Sequence, residues 1–238
     1  MEMPTLQLII FDMAGTTVDE DNLVYKTVLR AIQRAGFETD LDTVLYHAAG
    51  KEKLQAIRDV LAAITDGRAG EETAVATHRD FVGLLDLAYA ENTAKPMPGA
   101  ELVFQSLQEK GVKVALNTGY SRPVAESLLR QLGWLVHPHI DLVVTADDVA
   151  RSRPHPDMIF FAMQKLGITD AAPVGKIGDS IVDIEEGLNA GCGMAAGITT
   201  GAQTAEQLWS AKPTQVFERL EEVLPLTPPS FGHERFGL

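Results

Sequence analysis

From residue 98 onward, short runs rich in Val and Ile alternate with stretches of helical spacing. That alternation restricts the chain to a parallel sheet wrapped by helices, because parallel strands need long crossover connections. The pattern predicts strands at 7–11, 112–116, 142–145, 174–177 and 194–198. Helices are expected at 100–110, 123–132, 156–166 and 184–190, several closed by a Gly of the kind that caps a helix C-terminus. The expected core is a doubly wound α/β layer structure.

The segment 19–95 interrupts this order. It has no convincing strand, and it carries three amphipathic patterns: Leu23, Thr27, Val28 and Ile32, ending at Gly36; Leu54, Ile57, Leu61 and Ile64; and Phe81, Leu84, Leu85 and Ala88. The expectation is a helical cap domain at 19–95 inserted into a core made of 1–18 and 96–238. The return point, Lys95-Pro96-Met97-Pro98-Gly99, has the prolines of a stiff connector. Two bodies joined by two linkers can close over a site between them. The tail from Pro225, with Pro228-Pro229 and Gly232, is expected to pack loosely.

Composition narrows the partners. A net charge of −13 over 238 residues argues against nucleic acid or an anionic membrane, which require a basic face. A small anion remains compatible with it if a metal and a few cations make the site locally positive. Cys192 is the only cysteine, so no internal disulfide forms and a reducing cytoplasm is the expected compartment. No apolar run approaches the ~20 residues of a membrane span. The opening residues lack the basic and apolar regions of a secretory signal, so none is expected.

Four constellations carry chemistry. Asp12 ends an apolar strand and is followed by Ala14, Gly15, Thr16 and Thr17, a turn in which backbone N–H groups can approach an anion. Its functional reading is a nucleophile, against a turn or capping Asp. A second strand runs into Gly178-Asp179-Ser180 and then Asp183, carboxylates suited to a hard cation such as Mg²⁺ or, alternatively, to a helix start. Asn117-Thr118-Gly119-Tyr120 follows a third strand, where a hydroxyl and N–H groups could hold phosphate oxygens. Arg153-Pro154-His155-Pro156 presents a cation on a stiffened loop, either a charge partner for a phosphorylated Asp or a surface arginine.

The order of these four motifs resembles the haloacid dehalogenase-like superfamily over nearly the whole chain. The resemblance implies a Rossmann-like core with Asp12 attacking phosphorus. It implies Mg²⁺ held by Asp12, Asp179 and the Ala14 carbonyl, with Asp183 supporting the metal site. Thr16, Thr118, Gly119 and Arg153 then bind the phosphoryl group of a small phosphonate or phosphate. Most members carry a second Asp, a general acid, at the place of Ala14. Protonating an alkoxide leaving group is worth ~10²- to 10⁴-fold, and alanine cannot do it.

The run Asp12–Asp19 is similar to that of the phosphonatase branch, whose members hydrolyse phosphonoacetaldehyde. There a cap lysine forms a Schiff base with the aldehyde, and C–P cleavage expels a stabilised enamine rather than an alkoxide. Ala49-Gly50-Lys51-Glu52-Lys53-Leu54 matches that segment, with Lys53 as imine former and Lys51 as the nearby competitor. Two lysines in a helix's first turn oppose its dipole, which favours a neutral amine. Residues two apart on a helix face different ways, so only one should point inward. Thr118-Gly119-Tyr120, Asp147-Asp148-Val149 and Arg153-Pro154 also look like phosphonatase sequence. The chain departs from the branch at Ala49, where a Met is usual, and at Ala56, where a proton-shuttling His is usual; His47 or Tyr46 are the substitutes considered for the latter. A cap-mediated homodimer is a further implication of the resemblance. The competing readings are an ordinary phosphomonoesterase, a metal-free dehalogenase disfavoured by Asp179 with Asp183, and a non-catalytic phosphate-binding relative.

Overall fold

In a computed structural model, residues 5–91 and 94–227 are described. The chain begins with β1 (Leu8–Asp12), fully buried, and turns into the two-residue strand β2 (Val18–Asp19). Four helices follow: α1 (Leu23–Arg34), α2 (Leu41–Ala48), α3 (Lys53–Thr65) and α4 (Glu71–Glu91). The chain returns through β3 (Lys95–Pro96) and then alternates through α5 (Ala100–Glu109), β4 (Lys113–Thr118), α6 (Arg122–Leu132), β5 (Leu142–Thr145), α7 (Asp157–Leu166), β6 (Val174–Gly178), α8 (Ile181–Ala190), β7 (Met194–Ile198), α9 (Ala205–Ser210) and β8 (Gln215–Phe217).

Six of these strands form one parallel sheet in the order β5-β4-β1-β6-β7-β8, the doubly wound α/β core expected. β1 is central, pairing with β4 on one side and β6 on the other, and chain order reverses across it. In such sheets a crevice opens beyond the carboxyl ends of the strands at the reversal. Asp12, opposite Asn117 in the register, stands there.

Several boundaries differ from expectation. β4 runs on to Thr118, because Asn117 and Thr118 still pair with Val144 and Thr145. α8 begins at Ile181 rather than 184, its first turn started at Ser180. β8 and α9 were not read from the sequence: each is short, and β8 is an edge strand with mixed burial. α2 lies outside the three amphipathic patterns, although Asp40 caps it by accepting the Thr43 N–H at 2.8 Å.

The two connectors are not independent tethers. β2 and β3 pair antiparallel, Val18 with Pro96 and Asp19 with Lys95, and Met97 N–H donates to Thr17 O at 2.8 Å. The helices between them share an apolar interior: Val28 and Ile32 of α1, Ile57 and Leu61 of α3, and Phe81, Leu84 and Leu85 of α4. Pro225, itself exposed, lies in a 3-10 turn over Leu220–Leu226. Leu220 and Val223 are buried there, and Lys110 Nζ donates to Leu224 O and Thr227 Oγ1, both at 2.8 Å. Pro228, Pro229 and Gly232 lie outside the described residues. Among the described residues no helix is long and apolar enough to cross a membrane.

Candidate active site

Asp12, Asp179 and Asp183 come from the ends of β1 and β6 and the first turn of α8, and one oxygen of each lies within 4.8 Å of the others. All three are buried. Burial, with Asp12 and Asp183 as like-charged neighbours, pushes the Asp179 carboxyl well above its usual range. Asp12 is also raised, chiefly by burial, with Arg153 opposing. Carboxylates so arranged repel one another until a cation is shared among them, and an all-oxygen donor set suits a hard divalent ion. The glycines confirm the tightness: Gly15, at φ +79°, and Gly201 both press on the Asp179 carboxylate, where a Cβ on either would overlap it. Ala202 N–H donates to that carboxylate at 2.6 Å. Ala14, 8% exposed, lies in the turn between β1 and β2 and bridges to Val18.

The turn after Asp12 works differently from expectation. The N–H groups of Gly15, Thr16 and Thr17 are spent inside it, on Val18 O and Met13 O. What the turn offers instead is the Thr16 hydroxyl, buried and without a hydrogen-bond partner. An orphaned buried hydroxyl is costly unless a ligand completes it. Thr118 Oγ1, from β4, accepts from Tyr120 N–H at 3.2 Å, which fixes the turn carrying Gly119.

Arg153 is not a surface arginine. Its side chain is fully buried, with Nη2 at 2.7 Å from Asp12, Nη1 at 2.9 Å from Asp183 and Nε at 3.4 Å from Glu186. Nη2 also donates to Asn117 O at 2.6 Å and to Asn117 Oδ1 at 2.8 Å. Burial by itself lowers its pKa, but the neighbouring Asp12, Asp183 and Glu186 outweigh burial and raise it above the usual value. Asp183 is held below the usual range because Arg153 and Lys176 overcome its own desolvation.

Lys176 and Glu186 complete this cluster from outside the sequence motifs. Lys176 lies inside the buried strand β6, and its ammonium reaches Asp183 at 2.7 Å and Asn117 Oδ1 at 2.9 Å. Glu186, in α8, accepts from Asn117 Nδ2 at 2.9 and 3.0 Å. The available signal was a lysine within a fully buried strand pattern, which requires an acidic partner from the following helix.

The helical insert enters this site through the loop before α3. Gly50, at φ +70°, lies against Ser180 and Val182, where any side chain would overlap them, and beside Asp183. A Cβ on Gly119 would stand 2.8 Å from Lys51 O. The loop is thus wedged between the β4 and β6 ends, and Tyr25 Oη accepts the Gly50 N–H at 3.0 Å.

The two lysines on this segment part company. Lys51, half-buried, pairs with Asp59 and lines the cleft that reaches Arg153. Lys53, the first residue of α3, turns inward and is 6% exposed. Its Nζ donates to Lys51 O and lies 5.3 Å and 5.1 Å from the ring centroids of Tyr25 and Tyr120. Its pKa falls to about 8, and the main cause is burial rather than the helix dipole invoked from sequence. Tyr120 Oη in turn donates to Glu20 at 2.7 Å, and so does Tyr89 Oη.

Ala56 is fully buried on α3. Tyr46 and His47, stacked edge to face at 4.9 Å, line a cleft of about 480 Å³ that reaches Arg153 but not Lys53. His78, from α4, lines a cavity that Lys53 shares.

A family model for haloacid dehalogenase-like hydrolases matches residues 6–191. A phosphonoacetaldehyde hydrolase from Latilactobacillus sakei is 32% identical over 204 residues, covering 79% of this chain and 74% of its own. One from Bacillus cereus is 26% identical over 230 residues, covering 92% and 86%. A solved structure of a phosphonoacetaldehyde hydrolase like protein from Oleispira antarctica superposes with a TM-score of 0.79 at 24% identity, covering 94% of this chain and 92% of its own.

Proposed function

The chain belongs to the haloacid dehalogenase-like hydrolases, and from that premise we propose that it cleaves the C–P bond of a phosphonoacetaldehyde-like phosphonate through a Lys53 imine and a phospho-Asp12 intermediate. The observation that carries this reading is a buried amine of lowered pKa beside a carboxylate site whose acid position holds Ala14. A neutral amine is the form that adds to a carbonyl, and burial lowers the Lys53 pKa to about 8, so that about a tenth of it is the free amine at pH 7.

In this reading the substrate carbonyl condenses with Lys53 Nζ and water leaves. Asp12 then attacks phosphorus, the C–P bond breaks, and its electron pair passes into the iminium to give an enamine on Lys53. Water hydrolyses the phospho-aspartate, and protonation and hydrolysis of the imine release the aldehyde. No oxygen leaving group needs an acid, which accounts for Ala14. Arg153, with Thr118 and the Thr16 hydroxyl, orients the phosphoryl oxygens. Asp12, Asp179, the Ala14 carbonyl and Asp183 would hold Mg²⁺, which supplies positive charge against the transferring phosphoryl group when bound. The proton transfers of imine formation fall to His78, in place of the histidine that Ala56 replaces.

Borohydride added with phosphonoacetaldehyde should fix a covalent adduct on Lys53, and Lys53→Arg should lower phosphate release at least about 10³-fold. Undiminished release by that variant would sink the imine. The alternative reading is a small-substrate phosphomonoesterase, favoured by Ala56 itself. It predicts phosphate release from esters but from no phosphonate, with Asp12 still essential.

A further inference from the structure

A cavity of about 120 Å³ lies between α4 and the start of α6, with Lys53 in its wall. Phe81, Leu85 and Tyr120 are its buried lining, and Val82 and Val124 stand at its partly exposed mouth. Its polar members besides the amine, His78, Asp86 and Ser121, are all at least partly exposed. It is separate from the larger cleft that reaches Arg153. Lys53 lines this cavity and Arg153 the larger cleft, and the two share no lining residue.

Phosphonoacetaldehyde carries only hydrogen as the second substituent of its carbonyl carbon. It would leave a carbon-lined cavity beyond the amine empty, and an apolar void beside a reacting group forfeits contacts. At about 30 Å³ for a water-sized group, the cavity has room for about four carbons. We propose that this cavity receives an apolar substituent on the substrate's carbonyl carbon, so that the protein takes 2-oxoalkylphosphonates with chains of about three or four carbons in preference to the unsubstituted aldehyde. This rests on the reading of Lys53 as imine former. Phe81, Val82 and Leu85 then determine specificity, each from a helix that contributes nothing to the carboxylate site.

The test has two arms on the intact protein. In the first, straight-chain aldehydes from acetaldehyde to pentanal are trapped with cyanoborohydride, and adducts on Lys53 are quantified by peptide mass spectrometry relative to those on Lys51. In the second, phosphate release is measured from phosphonoacetaldehyde and from 2-oxoalkylphosphonates of growing chain. Burial of one methylene is worth about fourfold, so Lys53 trapping should rise at least about tenfold along the aldehyde series, with kcat/KM following. Val82→Trp should abolish the rise by filling the mouth. Val124→Trp, from the opposite wall, serves if the first variant fails to fold.

Trapping independent of chain length, or a rise untouched by both tryptophans, overturns the proposal. Adducts that grow with chain length while no phosphonate releases phosphate uphold the cavity and overturn the C–P reading. Phosphate release that is best with phosphonoacetaldehyde and falls with chain length does the reverse. Absence of any Lys53 adduct overturns both.

Discussion

Lys53 and Lys176 are both buried, and their surroundings are opposite. Lys176 is enclosed by Asp183 at 2.7 Å, Glu186 at 3.7 Å and Asn117 Oδ1 at 2.9 Å. Lys53 faces two tyrosine rings and a backbone carbonyl, and among the described residues no ion pair to it is found. The first environment compensates a buried charge with carboxylates. The second offers ring faces and one carbonyl, so the charged form is penalised and the free amine gains. One residue type thus holds a carboxylate cluster together in the sheet and, in the helical insert, stands as a buried amine whose pKa falls to about 8. The difference lies in what each is buried against, not in how deeply.

Four changes should break or sharpen this contrast. Lys176→Met has the largest expected effect on stability. It leaves Asp183 and Glu186 with Arg153 as their remaining cation, and loss of one partner from a buried ionic cluster costs about 3–5 kcal/mol, readable in the urea midpoint. Lys53→Met should do the opposite and raise stability. The unfolded chain holds the lysine proton up to about pH 10.5, whereas the folded chain releases it at about 8. Folding is therefore penalised below pH 8, and that penalty fades as pH rises from 8 to 10.5. The variant should gain up to about 3 kcal/mol at pH 7 and nothing above about pH 10.5; a loss at pH 7 would show that the ring contacts outweigh desolvation.

A smaller effect concerns rate. With the free amine as reactant, kcat/KM on phosphonoacetaldehyde should climb about tenfold per pH unit below about 8 and then level off. Lys176→Arg should leave that midpoint in place. The smallest change is Tyr120→Phe. It deprives Glu20 of one of two tyrosine donors and should cost about 1 kcal/mol, while Lys53 keeps its ring contact and the rate midpoint stays put.

Much of this molecule was legible in the chain. The βα alternation predicted five of the six sheet strands, because a parallel strand buried on both faces reads as a short apolar run. It missed β8, whose edge position relaxes that requirement, and the β2–β3 ribbon, whose pairing depends on two segments far apart in sequence. Asp12, Thr118, Arg153, Asp179 and Asp183 were each visible as polar residues at the ends of apolar strands or in stiffened loops. Lys176 and Glu186 belong to none of those motifs; the lysine inside a buried strand is the one local sign of them, and its acidic partner is identified only when α8 is seen packed across from it.

By itself, the sequence determined the layer architecture, the acidic metal-type motif and the alanine in place of an acid, since these rest on local periodicity and on residue identity. Only the tertiary structure decided which lysine turns inward, that Arg153 is buried against Asp12, and that Lys53 opens on an apolar cavity. Those outcomes depend on which surfaces meet, and burial, the chief cause of Lys53's lowered pKa, belongs to the packed neighbourhood rather than to the residue.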